Sequence, residues 1–196
     1  MTVEKLINKN RSYRRFYQDY KIDEEQLFKL VNLARLSPSP RNLQALKFWV
    51  SNNEKLNEKI FRSLAWAGYL KDWQGPEPGE QPSAYIFILA DKSISDNFQK
   101  DYLPTASGIA AQSILMGAVE TDLGGCIIAA FQKNKVSQTI LLKEHLEILL
   151  ILAVGKPKEN IIIQDVDSTG SIIYWRDKEG KHYVPKRKLD NIIKIL

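Results

Sequence analysis

The sequence predicts an α+β fold, and three stretches carry that prediction. Ala84 to Ala90 (Ala-Tyr-Ile-Phe-Ile-Leu-Ala) and Glu147 to Val154 are near-continuous apolar runs rich in strand formers, the pattern of strands buried on both faces. Between them, Pro104 opens a helix to about Thr121 that is apolar nearly all round and dense in small residues, including Ala106, Ser107, Gly108, Ala110, Ala111, Gly117 and Ala118. Such a helix is buried and closely approached by another backbone. Upstream, Asp23 reads as an N-cap with Gln26 completing a capping box. Leu27, Leu30, Val31 and Ala34 follow at helical spacing, so an amphipathic helix runs to about Leu36.

Composition narrows the class. With 196 residues the chain is most simply one domain, 1–196, large enough to bury a real core. Hydrophobic residues at 44% and charged residues at 26% are ordinary for a soluble globular protein. The net charge of +5 is a mild basic excess that suits nucleic acid, an anionic membrane surface or a phosphorylated cofactor. A single cysteine, Cys126, leaves no intrachain disulfide and points to a reducing compartment. With only His145 and His182 beside it, no zinc site is expected. Residues 1–14 are too polar for a signal peptide, and the longest apolar run, Ile148 to Val154, is too short to span a bilayer. The expectation is a cytoplasmic protein with neither a membrane nor a nucleic-acid partner.

In chain order, Val3 to Asn8 begins a short helix that delivers Asn10-Arg11-Ser12-Tyr13-Arg14-Arg15-Phe16. On a helical turn Arg11 and Arg14 would share a face. Arginine offers a planar fork of donors that matches a phosphate, and Ser12 can add a hydroxyl. A solvated basic face is the alternative. Ser37-Pro38-Ser39-Pro40-Arg41-Asn42-Leu43-Gln44 is a stiff loop, because two prolines fix φ and bias the residues before them. It presents Ser39, Asn42 and Gln44 in fixed directions, or it is a plain helix stop and turn. Lys47 to Val50 reads as a strand, and Asn53 caps a helix through about Leu64.

Residues 65–82 set Trp66, Tyr69 and Trp73 among Gly68, Gly75, Pro76, Pro78, Gly79 and Pro82, which makes a long loop. Its aromatics either stack over a planar ligand or pin the loop to the surface. Gly124-Gly125 allow a tight turn and close backbone approach before Cys126 to Phe131. Neither a dinucleotide fingerprint nor a Walker loop is present. Cys126 reads as a small buried hydrophobe rather than a nucleophile. Asn134 to Leu142 forms a short helix. Ser171 to Arg176 and Lys181 to Val184 flank a hairpin turn at Asp177 to Gly180, and Pro185-Lys186-Arg187-Lys188-Leu189 opens a last short helix.

Taken in order, Arg11-Ser12-Tyr13-Arg14 with Phe16, then Pro38-Ser39 with Asn42 and Gln44, then the paired glycines and Lys186-Arg187, resemble the nitroreductase-like FMN-dependent oxidoreductase family. The resemblance covers nearly the whole chain, with Asn10 standing where many members carry a further arginine. It implies a central, mostly antiparallel sheet flanked by helices. It also implies a homodimer built on the small-residue helix, with the flavin at the subunit interface. Arg11, Ser12 and Arg14 would grip FMN, with Arg14 on the N1/C2=O side. Pro38, Ser39 and Asn42 would meet its ribityl and pyrimidine portions. Gly125, Ile128, Ala129 and Ala130 would run beside the isoalloxazine. Lys186 and Arg187, with Lys188 as an ambiguous third, would meet the phosphate.

No residue is named catalytic, because the cofactor carries the redox chemistry. By the same resemblance NAD(P)H reduces the flavin, which passes electrons to a nitroaromatic, quinone or similar small acceptor. Two other readings stand beside this one. One is an FMN-binding protein with a non-reductase role, such as flavin breakdown or storage. The other is a small basic nucleic-acid-binding protein, against which the buried strands and the lack of a recognition module count.

Overall fold

Thr2 accepts a hydrogen bond from the Lys5 amide and so starts α1 (Val3–Lys9), the first element in this computed structural model, which describes residues 1–94 and 100–196. Asp23 and Gln26 exchange side-chain and backbone hydrogen bonds, the capping box that the sequence announces, and α2 (Glu24–Leu36) follows. Asn53 caps α3 (Glu54–Phe61) through the Leu56 amide. The small-residue helix is α4 (Leu103–Glu120), with Pro104 in its first turn, where no intrahelical N–H is needed. A short α5 spans Lys133–Thr139.

Five strands form an antiparallel sheet. They are β1 (Phe16–Tyr17), β2 (Leu46–Ser51), β3 (Ala84–Asp91), β4 (Gly124–Ile128) and β5 (Leu146–Pro157). β5 is the axis: β3 lies along one edge with β2 outside it, and β4 and β1 pair with the other edge. Ala84, Ile86 and Ile88 pack with Leu152 and Val154 against Leu27 and Leu30 of α2 and Ala111 and Ile114 of α4. Tyr85, Phe87 and Leu89 pack on the opposite side with Ile60 of α3, Val136 of α5 and Trp66. Because helices cover both faces, β3 and β5 have no polar alternation, which is why they read as apolar runs.

Two glycines mark close approaches. A Cβ on Gly117 of α4 would lie 2.1 Å from Leu33 Cδ1, so this glycine lets α2 settle onto α4. A Cβ on Gly124 would lie 2.5 Å from Cδ2 of the Tyr13 ring and 2.8 Å from Pro157 Cγ. The paired glycines thus serve close approach, as their composition suggests, but they do not make the turn. They open β4, and the reversal falls earlier, at Thr121 and Asp122, where Asp122 takes φ 56°.

A second, three-stranded sheet was not legible in full. β6 (Ile161–Asp165) runs parallel to β8 (His182–Lys186), and β7 (Trp175–Arg176) pairs antiparallel with β8 across the Asp177 to Gly180 turn. The hairpin matches the sequence expectation. Lys186, however, lies at the end of β8 rather than opening a helix, and only a single 3-10 turn, Leu189–Asn191, follows. Pro185 donates no hydrogen bond, yet β8 needs none from it at that point of its pairing with β6. Among the described residues no helix is long and apolar enough to cross a membrane.

Candidate functional site

α1 stops at Asn10, whose side-chain amide donates to Gln112 Oε1 of α4 at 3.3 Å. The arginine segment that follows is extended rather than helical. The Tyr13 amide donates to the Gly125 carbonyl at 3.0 Å, and Ser12 bridges Gly125 in parallel. Pairing with β4 therefore takes the backbone that a helical turn would have used, and Arg11 and Arg14 do not share a helix face. They converge all the same. Arg11, Ser12 and Arg14 line one side of a cavity of about 260 Å³, and His182, Val184 and Lys186 line the other. The period-two alternation of β8 puts those last three on a single face.

Arg11 Nη2 donates to the Ile7 carbonyl at 2.7 Å, while its buried Nε has no protein partner among the described residues. Burial pulls the Arg11 guanidinium below its ordinary value, with Tyr13 partly offsetting this. Arg14 Nη1 donates to the Ser12 carbonyl at 3.3 Å, and its guanidinium lies 4.9 Å from the centre of the Tyr174 ring. The Arg14 amide donates to Glu159 Oε2 at 2.6 Å. The Glu159 side chain is fully buried, and its other oxygen accepts from Arg176, which covers the Trp73 ring at 4.1 Å. The wall of the cavity is thus braced by a carboxylate that the cavity itself does not expose.

Sequence alone offers His182 only as a member of an improbable zinc site, and the structure makes it a wall of this site. It is 1% exposed, and neither ring nitrogen has a protein partner among the described residues. Burial first, then Arg14 and Arg176, hold its pKa down at about 4. The signal was present in the alternation His182-x-Val184-x-Lys186. Ending the strand at Val184 hid it.

The remaining candidates lie elsewhere. Pro38, Ser39 and Asn42 line a different cavity, of about 240 Å³, with Phe48, Ala106 and Ile109, between α2 and the start of α4. Here Arg41, Asn42 and Gln44 take φ of 53°, 56° and 50°, a cluster of left-handed non-glycine residues in one loop. The Gln44 amide donates to Ser39 Oγ at 3.2 Å and helps to hold that geometry. Arg187 lines a third hollow with Lys188 and Asp167, apart from Lys186. Gly125 adjoins the arginine segment, whereas Ile128, Ala129 and Ala130 lie at the far end of β4, where the Ala130 carbonyl accepts from the Ala65 amide. Cys126 is buried, and burial pushes its thiol up, so it is no activated nucleophile.

Residues 65–82 are pinned to the body. Trp66 is buried against Phe61 and over Gly75. Tyr69 packs on Tyr174 at 5.0 Å between ring centres, and Trp73 takes the Arg176 guanidinium. Glu80 closes the loop with two bonds to Arg15, 2.5 and 2.7 Å, and one to Lys158 at 2.9 Å. These partners, Arg15 above all, hold the Glu80 carboxyl down at about 2.

The family model described as the Nitroreductase family matches residues 7–156. A protein of Archaeoglobus fulgidus named "Putative NADH dehydrogenase/NAD(P)H nitroreductase" is 22% identical over 167 residues, covering 83% of this chain and 90% of its own. A crystal structure of a nitroreductase family protein from Clostridium novyi NT superposes with a TM-score of 0.67 at 26% identity, covering 81% of this chain and 88% of that one. An FMN-dependent nitroreductase from Clostridium difficile R20291 superposes with a TM-score of 0.62 at 20% identity, covering 85% of this chain and 92% of its own. β6, β7 and β8, with His182 and Lys186, fall outside the matched range. With helices on both faces of an antiparallel sheet and most of its length matched, the chain belongs to the nitroreductase family.

Proposed function

We propose that the protein is an FMN-dependent oxidoreductase that takes electrons from NAD(P)H and passes them to a nitroaromatic, quinone or similar small acceptor. One observation carries the cofactor assignment. Arg11, Ser12, Arg14 and Lys186, from opposite ends of the chain, converge on one cavity with an unpartnered guanidinium nitrogen in its wall. That donor set fits a phosphate monoester. Arg11 and Lys186 would hold the phosphate, and Arg14 would place a fixed positive charge on the flavin side. Bound FMN supplies the hydride and electron chemistry, so the protein needs to bind, orient and shield. The names of the relatives support NAD(P)H as donor and FMN as cofactor. The buried, lone Cys126 suits a reducing cytoplasm.

A colourless preparation that also fails to bind added FMN at micromolar levels would defeat this reading. The expected result is a yellow protein that releases FMN on denaturation and is bleached by NADH or NADPH. FMN that is bound but never reduced by either nucleotide would favour the storage or breakdown role instead.

The same reading includes a homodimer. Pro38, Ser39 and Asn42 line a cavity of their own, and a flavin bound between two chains would be held by one set of residues from each. The outer face of α4, with Thr105, Gly108 and Gln112 exposed, suits the contact. Apart from its chain neighbours and the surrounding backbone of α4, no described atom lies within 4 Å of a Cβ on Gly108, so Gly108→Leu should leave the fold intact while splitting the dimer and lowering FMN occupancy. Light scattering that finds an undisturbed, flavin-loaded dimer in this variant would count against the interface. Ala111 does not serve this test. It is fully buried against its own sheet, and a leucine there would overpack the core by about 1–3 kcal/mol.

A further inference from the structure

A buried imidazole with both nitrogens unpartnered is costly, and cores rarely keep one without a reason. His182 is such a group, and it lines the cavity that holds Arg11, Arg14 and Lys186. We propose that His182 is an anion contact that is neutral without an anion and takes up a proton when a phosphate or sulfate group is seated beside Arg11 and Lys186. The proposal rests on the reading of this cavity as a phosphate site, and the experiment below separates the two.

The charges around the ring give the direction. It shares the cavity with Arg11 and Arg14 of the segment after α1 and with Lys186 of its own strand, and of these the Arg14 charge acts on the ring. From β7 it feels Arg176, and Tyr174 packs on its ring with centres 5.2 Å apart. The nearby Glu159 carboxylate is committed to Arg176 and the Arg14 amide. Tyr183, Asp177, Lys181 and Glu179 bond among themselves around the hairpin turn. The uncompensated field at the ring is therefore positive, which expels its proton together with burial. A seated dianion reverses that field and offers an oxygen to accept from an imidazole nitrogen. The Tyr174 contact holds the ring in place for this.

The sign of the linkage follows. Without an anion His182 holds its proton only below about pH 4. With one it holds the proton to higher pH. Between those two limits each binding event takes up a proton, so affinity rises as pH falls, by up to about tenfold per pH unit. FMN is a poor probe of this alone, because its own phosphate titrates near pH 6, by roughly the value of a phosphoryl group. Sulfate stays a dianion throughout and isolates the contribution of the protein.

The test is calorimetry with sulfate near pH 6 in two buffers of different ionisation enthalpy, on wild type and His182→Gln. The expected result is net proton uptake by wild type and none by the variant. Should the variant fold poorly, imidazole NMR of wild type decides, because the chain has only two histidines and His145 serves as the reference. Saturating sulfate should move the His182 signals from neutral to cationic and leave those of His145 in place. Sulfate binding without proton uptake, or with unchanged His182 signals, overturns the proposal, as does failure to bind either sulfate or FMN. Sulfate binding with proton uptake and no FMN binding would uphold it and sink the flavin reading. FMN binding alongside proton-neutral sulfate binding would do the reverse.

Discussion

Glu159→Ala is expected to lower the stability of the fold by about 3–5 kcal/mol, the cost of leaving one partner of a buried pair alone. The Glu159 side chain is 0% exposed and that of Arg176 is 15% exposed. Burial already pulls the Arg176 guanidinium below its ordinary value, so it has little solvation to fall back on. The mutation also orphans the Arg14 amide, which now donates to Glu159 at 2.6 Å. Urea unfolding of wild type and variant at neutral pH measures the difference. Glu159→Gln keeps an oxygen for the Arg14 amide and should cost less. Arg176→Met added to Glu159→Ala should recover much of the loss, because the apolar side chain leaves no stranded charge and still packs on Trp73. A Glu159→Ala variant within about 1 kcal/mol of wild type would mean that Arg176 finds water and that the brace is not needed.

The other large effect is on binding. Arg11→Ala combined with Lys186→Ala removes two charge-assisted phosphate bonds worth about 1.5–3 kcal/mol each. Together they amount to a loss of roughly 10²- to 10⁴-fold in FMN affinity. Riboflavin, which lacks the phosphate, should bind wild type and variant alike. Fluorescence titration of both flavins reads the two arms. Arg187→Ala is the control: its side chain lines a different hollow, so FMN affinity should hardly move. A double variant that keeps FMN as tightly as wild type would place the phosphate elsewhere. An Arg187→Ala variant as weak as the double variant would do the same.

Much of the framework was legible because local and tertiary signals agree. The capping box of α2, the apolar runs of β3 and β5 and the small-residue composition of α4 each have one physical cause and one outcome. Of the small sheet only the β7–β8 hairpin was legible. β7 has two residues and β6 offers only Ile161 to Ile163 before it turns polar, and β1 of the large sheet also has two, so their existence depends on long-range pairing. Likewise the arginine motif could be named, but its extended conformation is set by Gly125, more than a hundred residues away. The alternation His182-x-Val184-x-Lys186 is local and visible in the sequence, but which face of β8 lines the cavity follows from its parallel register on β6. The proline loop gave away its stiffness but not the left-handed residues that shape it, because those conformations are imposed by packing rather than preferred by Arg41 or Gln44.

The contact of Tyr13 with Gly124 also bears on how this chain can change. The ring sits where a side chain at 124 would have to go, and its hydroxyl is held by the Lys9 carbonyl at 2.8 Å, so it cannot swing aside freely. Pro157 closes the gap from the other side. The spatial contact therefore couples what each of the two positions can accept. A lineage that gains a side chain at 124 must first give up the ring at 13, and a graft of residues 10–16 into a relative carries with it the requirement for a glycine at the start of β4.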